Sequence, residues 1–362
     1  MSLKNEISKV LLVENSYQDL VKSRFSLGNF LKESGFTVKY CCPNPDNNSV
    51  FDIPMSRNSI APLKLVSGFF TLIRLEKKLA SETVISFRFI PNVLNFLASF
   101  RSKSVKRVAV ITGLGYAFIP YNISLVSTIQ RILITKFYRI ASKRLQVVAQ
   151  NRDDLLELGI HNGRIISGSG VEKGSFKDPD SFNSSALIFL FAGRLLKSKG
   201  IIEAIEIFRR VKRIFPTSTL RIAGTLDQNN PDSLHNDELN ELLKIDGIEY
   251  LGYVNDMDSV YVDSNVLLFP SFYREGIPRV IIESLKHGLT IITKDTPGCR
   301  ETVCGNGYLI KQRGLEPELF AYINSLNAAK LMANREKSIE LFANIFSSDI
   351  IYPQYLNLLH CE

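Results

Sequence analysis

The order of residues predicts an α/β protein made of two doubly wound domains that face one another, and three observations carry that expectation. With 362 residues, 45% of them hydrophobic, the chain can fill two ordinary cores. Short apolar runs alternate with helical patterns, as parallel strands joined by crossover helices require. A stretch rich in Gly, Ser, Asp and Pro, GSGVEKGSFKDPDSFNSS (168–185), breaks that alternation near the middle and reads as a linker. Domains are expected over 1–175 and 176–345. Residues 346–362 are expected to form a C-terminal segment whose helix crosses back to pack on the first domain.

The elements follow in order. KVLLVE, TVKYCC, TVISF, RVAVI and LQVVAQ are short and apolar enough for buried strands, with helical patterns over 17–34, 63–80, 91–102, 124–142 and 151–158. Beyond the linker come ALIFLFAG, a helix over 200–215, TLRIAG, a helix near 236–245, IEYLGY and a short helix near 257–263. SNVLLFPS (264–271) is another buried strand, ended by Pro270. Pro278 suits a first helical position, where its missing N–H costs nothing. That helix runs through Val280, Ile281, Ile282 and Leu285 to Gly288, and LTIIT (289–293) returns as a parallel strand.

Composition narrows the class. No apolar run approaches the eighteen residues of a membrane span, and the first residues lack the pattern of a signal peptide. Five cysteines without a C-x-x-C pair fit a reducing compartment and argue against structural zinc. Four scattered histidines make a histidine metal site unexpected. The net charge of +8 is uneven: residues 1–175 hold 24 Lys and Arg against 12 Asp and Glu, and residues 176–362 hold 20 against 24. A basic first half points to an anionic partner.

The chemistry concentrates in the second half. In FPSFYREGIPRVIIESLKHG (269–288), Glu275 falls in the loop at a strand's carboxyl end, the usual ligand crevice of open α/β sheets. Gly276 and Ile277 offer N–H groups beside a helix start, which suits an anion. Glu283 lies in the helix body, where a buried carboxylate needs a hydrogen-bond partner; a hydroxyl-bearing ligand could be that partner. In FAGRLLKSKG (191–200) a strand ends at Gly193, and Arg194 and Lys199 project from the following loop. Two cations there suit a diphosphate.

FAGRLLKSKG, LGYVND and FPSFYREGIPRVIIESLKHG together resemble the signature blocks of retaining family 4 glycosyltransferases of the GT-B fold, in which two Rossmann-like domains face one another. TGLGYAF (112–118), QNRDDLLELGI (150–160) and SGSGVE (167–172) resemble blocks of a subgroup that builds capsules, O-antigens, lipopolysaccharide and other polyprenyl-linked glycans. The resemblance runs from about residue 107 to 303. It implies a transferase that takes hexose or N-acetylhexosamine from a nucleotide sugar, expected to be UDP-linked, with retention. The implied acceptor is a polyprenyl-diphosphate-linked saccharide in bacterial surface polysaccharide synthesis.

On that resemblance, Arg194 and Lys199 neutralise the departing diphosphate and Glu275 binds the transferred sugar, with the N–H groups of Gly276, Ile277 and Arg279 near it. Glu283 takes the ribose hydroxyls, and Tyr253 and Val254 lie against the base. Gly193 and Gly170 let backbone approach the donor. Thr112, Gly113, Gly115 and Tyr116 form an acceptor or interdomain loop. Many members carry a histidine there, whereas this chain has Thr112 and no histidine nearby. No metal or other cofactor is implied.

Other readings compete. DMD (256–258) matches a metal-binding Asp-x-Asp of a different transferase fold, but after GYVN it reads as helix capping, with Asp256 or Asn255 as the cap. Cys299 and Cys304 look incidental. STIQRILITKFYRIASKRL (127–145) has Ile129, Ile132, Leu133, Phe137 and Ile140 on one side, and Arg131, Lys136, Arg139, Lys143 and Arg144 elsewhere. It is either a core-packed helix with a solvated basic face or a helix lying on an anionic membrane surface. The second reading places the enzyme in the cytoplasm, peripherally on the inner face of the cell membrane. Nucleic acid is not an expected partner, because no stacking or helix-turn-helix signal accompanies the charge. A same-fold transferase with a soluble or other lipid acceptor, or a non-catalytic membrane scaffold, are the alternatives; the intact Arg194, Lys199, Glu275 and Glu283 set argues against the scaffold.

Overall fold

A computed structural model describes residues 8–56, 61–119, 124–174, 186–228, 230–311 and 315–360. Residues 175–185 of the expected linker lie outside the described residues. The chain divides into two compact units, one of residues 1–117, 123–172 and 348–362, the other of 118–122 and 173–347.

Among the described residues the first unit has seven strands: β1 (Lys9–Val13), β2 (Thr37–Cys42), β3 (Val50–Asp52), β4 (Thr83–Phe87), β5 (Lys106–Ile111), β6 (Gln146–Ala149) and β7 (Arg164–Ile165). All pair in parallel, in the order β3-β2-β1-β4-β5-β6-β7. The five longer strands are those their apolar runs predict. β3 and β7 escaped the sequence reading because two or three residues carry no periodicity. Alternate residues of β1 feed two cores, since side chains alternate across a strand. Val10 and Leu12 pack with Leu27, Leu31, Tyr352 and Tyr355 on one face. Leu11 and Val13 pack with Leu72, Leu75, Ile90 and Leu94 on the other. Tyr352 and Tyr355 belong to the helix Ser348–His360, so the chain's last helix completes the first unit's core.

The core-packed reading of the basic helix fails. The helix Leu125–Ala141 turns Ser127, Tyr138 and Ala141 inward and leaves Ile129, Ile132, Leu133 and Ile140 exposed. Only Phe137 of the expected stripe is partly buried, with its ring 5.3 Å from Phe89 and 5.6 Å from Phe96. Two of its cations are occupied locally, Arg131 donating to the Ala117 carbonyl and Arg139 Nε to that of Leu158 at 2.9 Å.

The second unit's strands are β8 (Ile188–Ala192), β9 (Thr219–Ala223), β10 (Ile248–Gly252), β11 (Val266–Phe269), β12 (Thr290–Lys294) and β13 (Gly307–Ile310). They are parallel, in the order β10-β9-β8-β11-β12-β13. The order reverses between β8 and β11, and open α/β sheets bind ligands at such a switch point. The helix Ile201–Ile214 after β8 buries Ile201, Ala204, Ile205, Ile207, Phe208 and Val211. The helix Arg279–Lys286 after β11 buries Ile281, Ile282 and Leu285, with Pro278 as its N-cap instead of its first residue.

Two glycines let loops at the sheet's carboxyl edge close on one another, Gly200 in the loop after β8 and Gly298 in the loop after β12. Gly200 (φ +82°) sits where a Cβ would strike the Pro270 carbonyl, and Gly298 (φ +88°) where it would strike that of Gly276. Either position combines a left-handed backbone with a collision against main chain that cannot move aside. Gly298→Ala is therefore expected to destabilise the second unit by about 2–3 kcal/mol. Urea unfolding that leaves the midpoint unchanged would contradict that packing.

Candidate donor site at the second sheet's switch point

The loops after β8 and β11 are bound to each other through main chain. The N–H groups of Phe272 and Tyr273 both donate to the Ser198 carbonyl, at 3.0 and 3.1 Å. Thr293 Oγ1 donates to the Phe269 carbonyl at 2.7 Å and Thr296 Oγ1 to that of Ser271 at 3.1 Å, which ties the β11 loop to β12 as well. This framework brings Lys199 and Glu275, seventy-six residues apart in sequence, into an ion pair from Nζ to Oε1. Both side chains are mostly buried, at 12% and 19% exposure. The Lys199 ammonium also lies 5.2 Å from the centre of the Tyr273 ring, in range for a cation–π contact.

Arg194 starts from the same loop but does not join that pair. Its Nη1 reaches Asp227 Oδ2 at 2.7 Å, and at 42% exposure it is the open member of the set. Sequence reasoning missed Asp227 and its neighbour Asp232, both in a polar loop without periodicity. Asp232 accepts from the Ser198 N–H at 3.1 Å and from its hydroxyl, which fixes the turn that presents Lys199.

Glu283 also has partners within the chain. Tyr261 Oη donates to its Oε2 at 3.0 Å and Arg279 Nε to its Oε1 at 2.7 Å. The hydrogen-bond partner that its helical position needs, for which a ligand hydroxyl was one candidate, is thus already supplied within the chain. Two donors leave acceptor positions free on a group with about four lone-pair sites. Tyr261 stacks on His287, with centroids 5.4 Å apart. His287 Nε2 lies 2.9 Å from Asp258 Oδ1; a carboxylate can only accept there, so Nε2 carries the proton. Burial pushes the Tyr261 hydroxyl's pKa well up, reinforced by the Glu283 charge. Burial likewise lowers His287, with Asp258 opposing. Burial pushes Asp258 upward, but His287 and Lys286 outweigh it and hold the carboxyl below its ordinary range. Asp256 caps the helix Met257–Val262 by accepting from the Asp258 N–H at 3.2 Å.

The remaining expected residues are placed as follows. Gly193 follows β8 directly, and Gly276 and Ile277 are buried in the Glu275 loop. Arg279 is the first residue of its helix, and its side chain serves Glu283. Exposed Tyr253 and half-buried Val254 follow β10, two strands beyond β8 on the sheet's outer edge. Thr112, Gly113, Gly115 and exposed Tyr116 belong to the first unit, after β5. So does Gly170, where a Cβ would meet the Tyr352 ring; that ring accounts for a glycine without a donor. Cys299 is buried and Cys304 exposed, both free thiols; burial, then the Glu275 charge, raises Cys299 to about 12.

Chemically, the crevice offers cations at the carboxyl edge of a parallel sheet beside two helix starts, with a carboxylate on the facing loop. Such a set takes a diphosphate next to a hydroxylated group. Residues 173–339 match the family model described as Glycosyl transferases group 1. Over 326 residues the chain is 23% identical to the capsular polysaccharide biosynthesis glycosyltransferase CapM of Staphylococcus aureus, covering 85% of this chain and 84% of CapM. Among solved structures, the sucrose-phosphate synthase of Thermosynechococcus elongatus superposes with a TM-score of 0.80 at 15% identity, over 97% of this chain and 98% of that one. HepE of Anabaena, in complex with UDP and glucose, gives 0.72 at 15% identity over 97% and 99%. The chain therefore has the two-domain GT-B-like fold.

The depressed His287 pKa generates a pH test. Between its folded value and the ordinary 6.5, the unfolded chain takes up a proton that the folded imidazole does not, so stability rises with pH through that window. Acidification below 6.5 should thus lower the thermal midpoint, and His287→Asn should lose that component of the slope. Parallel slopes for the two proteins between pH 7.5 and 5.5 would contradict the assignment.

Proposed function

We propose that this glycosyltransferase transfers a hexose or N-acetylhexosamine from a UDP-linked donor, with retention, onto a polyprenyl-diphosphate-linked saccharide. It works in the assembly of a bacterial surface polysaccharide, at the inner face of the cell membrane. The observation that carries the donor half is the Lys199–Glu275 pair at the β8/β11 switch point, with Arg194 on the same loop. The CapM likeness supports a capsule-type product, and the UDP and glucose held by HepE support the donor class.

In the proposed reaction the bond from the sugar's anomeric carbon to the diphosphate oxygen breaks, and one forms to an acceptor hydroxyl oxygen. The hydroxyl proton passes to the departing phosphate. Lys199 and Arg194 neutralise the charge that builds on the diphosphate, the preorganised electrostatic stabilisation that dominates many enzymatic rates. To do so, they exchange Glu275 and Asp227 for phosphate oxygens. Glu275, released from Lys199, then accepts from the sugar's hydroxyls. Glu283 takes the ribose hydroxyls on its remaining lone pairs, held in place by Tyr261 and Arg279, and Tyr253 and Val254 flank the base. Gly193, Gly276 and Ile277 supply close backbone. No metal is assigned, because two cations and the helix starts carry the diphosphate's charge.

A thermal-shift screen of nucleotide sugars identifies the donor, since a ligand selective for the folded state raises its apparent stability. With that donor, Glu275→Gln is expected to lower kcat about 100-fold while UDP alone binds within a few-fold of the parent, and excess EDTA should leave the parent's turnover unchanged. Near-parental turnover by Glu275→Gln would overturn the assignment, and loss of activity in EDTA restored by Mn²⁺ would overturn the metal-free reading.

A further inference from the structure

The first unit carries a helix that is apolar on the wrong side. Along Leu125–Ala141 the exposed apolar positions are Leu125, Val126, Ile129, Ile132, Leu133 and Ile140, which recur at three- and four-residue spacing and so form one stripe. The inward positions include Ser127 and Tyr138. A surface helix of an ordinary domain shows the reverse arrangement. A second helix of the same layer repeats the pattern: Leu63, Val66 and Phe70 of Pro62–Leu79 are exposed at i, i+3 and i+7.

The two helices flank a third on one face of the first sheet. Leu72 and Leu75 pack with Ile90, Leu94 and Ala98 of the helix Phe89–Ala98. On its other side, Asn92 Nδ2 donates to Tyr138 Oη at 3.0 Å, and the Phe137 ring meets Phe89 and Phe96. The middle helix, FIPNVLNFLA, contains no charged residue, and Phe100 just beyond it is exposed. Apolar side chains are thus exposed or half-exposed on three adjacent helices, a contiguity that single exposed leucines lack.

The charge around this layer has one sign. Between residues 53 and 152 stand sixteen Lys and Arg against two acids, Glu76 and Glu82. Glu76 is buried and neutralised by both terminal nitrogens of Arg107 at 2.9 Å. Lys136 lies within the exposed stripe of Leu125–Ala141, exposed Lys64 lies beside that of Pro62–Leu79, and Lys143 and Arg144 follow the end of Leu125–Ala141. Apolar side chains ringed by cations complement an anionic bilayer, whose headgroups take the charge and whose acyl boundary takes the side chains. Each helix follows a strand, so its first turn lies at the sheet's carboxyl edge. The most exposed apolar side chains, Leu63 at 87% and Leu125 at 77%, are in those first turns.

We infer that this three-helix layer is a membrane-docking face that inserts Leu63, Val66, Leu125, Ile129 and Leu133 into an anionic bilayer, with the carboxyl edge of the first sheet turned toward the lipid. The inference deepens the proposed membrane-linked acceptor by naming the surface that meets the membrane. It departs from attachment by charge alone, because Arg131 and Arg139 are engaged with backbone carbonyls. Its test needs no sugar donor, so it fails independently of the transfer reading.

The chain has no tryptophan, so Leu125→Trp introduces a single reporter. Its emission should shift to the blue with vesicles of phosphatidylglycerol and phosphatidylcholine (3:7) and be quenched by brominated acyl chains. The triple variant Leu125→Gln, Ile129→Gln, Leu133→Gln changes only exposed positions. It should keep the parent's circular dichroism and sediment at least tenfold less with the same vesicles. Lys136→Gln with Lys143→Gln should weaken binding at low salt and flatten its salt dependence. Parental vesicle binding by the triple variant, an unshifted tryptophan spectrum, or absence of binding by the parent would overturn the inference. So would a parental dimer, by sedimentation equilibrium without lipid, that the triple variant converts to monomer, since a second copy would then cover the face.

Discussion

The second unit depends on one constraint: β8 and β11 are neighbours in the sheet, but their helices leave in opposite senses. The loops after them nonetheless meet main chain against main chain. Gly200 lies on Pro270, and Gly298, in the loop after β12, lies on Gly276. The Ser198 carbonyl accepts two N–H groups from the opposite loop. A loop held by its own backbone cannot relax when a side chain is recruited by a ligand. That framework pairs Lys199 and Glu275 in a mostly buried place.

The pair also explains why the site is stable without a donor. A buried cation or carboxylate left alone is costly, and each satisfies the other at little net gain over water. The same logic extends outward, from Arg194 on Asp227 to Glu283 on Tyr261 and Arg279. The carboxylates and cations assigned to the donor are held in advance by groups that a diphosphate or a hydroxyl can replace or join. On the proposed reading, binding exchanges one set of charge-assisted hydrogen bonds for another.

Much of this was legible in the sequence. The strands on either side of Glu275 and Arg194 are continuous apolar runs ended by Pro270 and Gly193, so the crevice could be placed from pattern alone. The pairing of Lys199 with Glu275 could not, because contact across seventy-six residues leaves no local signal. Tyr261 and His287 were invisible for a related reason: each looks like an ordinary helix residue, and only tertiary packing stacks them. The basic helix misled in a more instructive way. Ile129, Leu133 and Ile140 have the spacing of a core stripe, and periodicity reports that a face is apolar without reporting what covers it. In this chain the protein covers the opposite face, with Tyr138 and Ala141.

The central claim is that Lys199 receives the donor's diphosphate. Calorimetric titration of UDP and of uridine into the parent and Lys199→Ala tests it most directly, since the two ligands differ only in that group. The account predicts that UDP binding weakens by about 1.5–3 kcal/mol, roughly 10- to 150-fold, while uridine affinity is unchanged. Equal UDP affinity in a folded Lys199→Ala protein would contradict it.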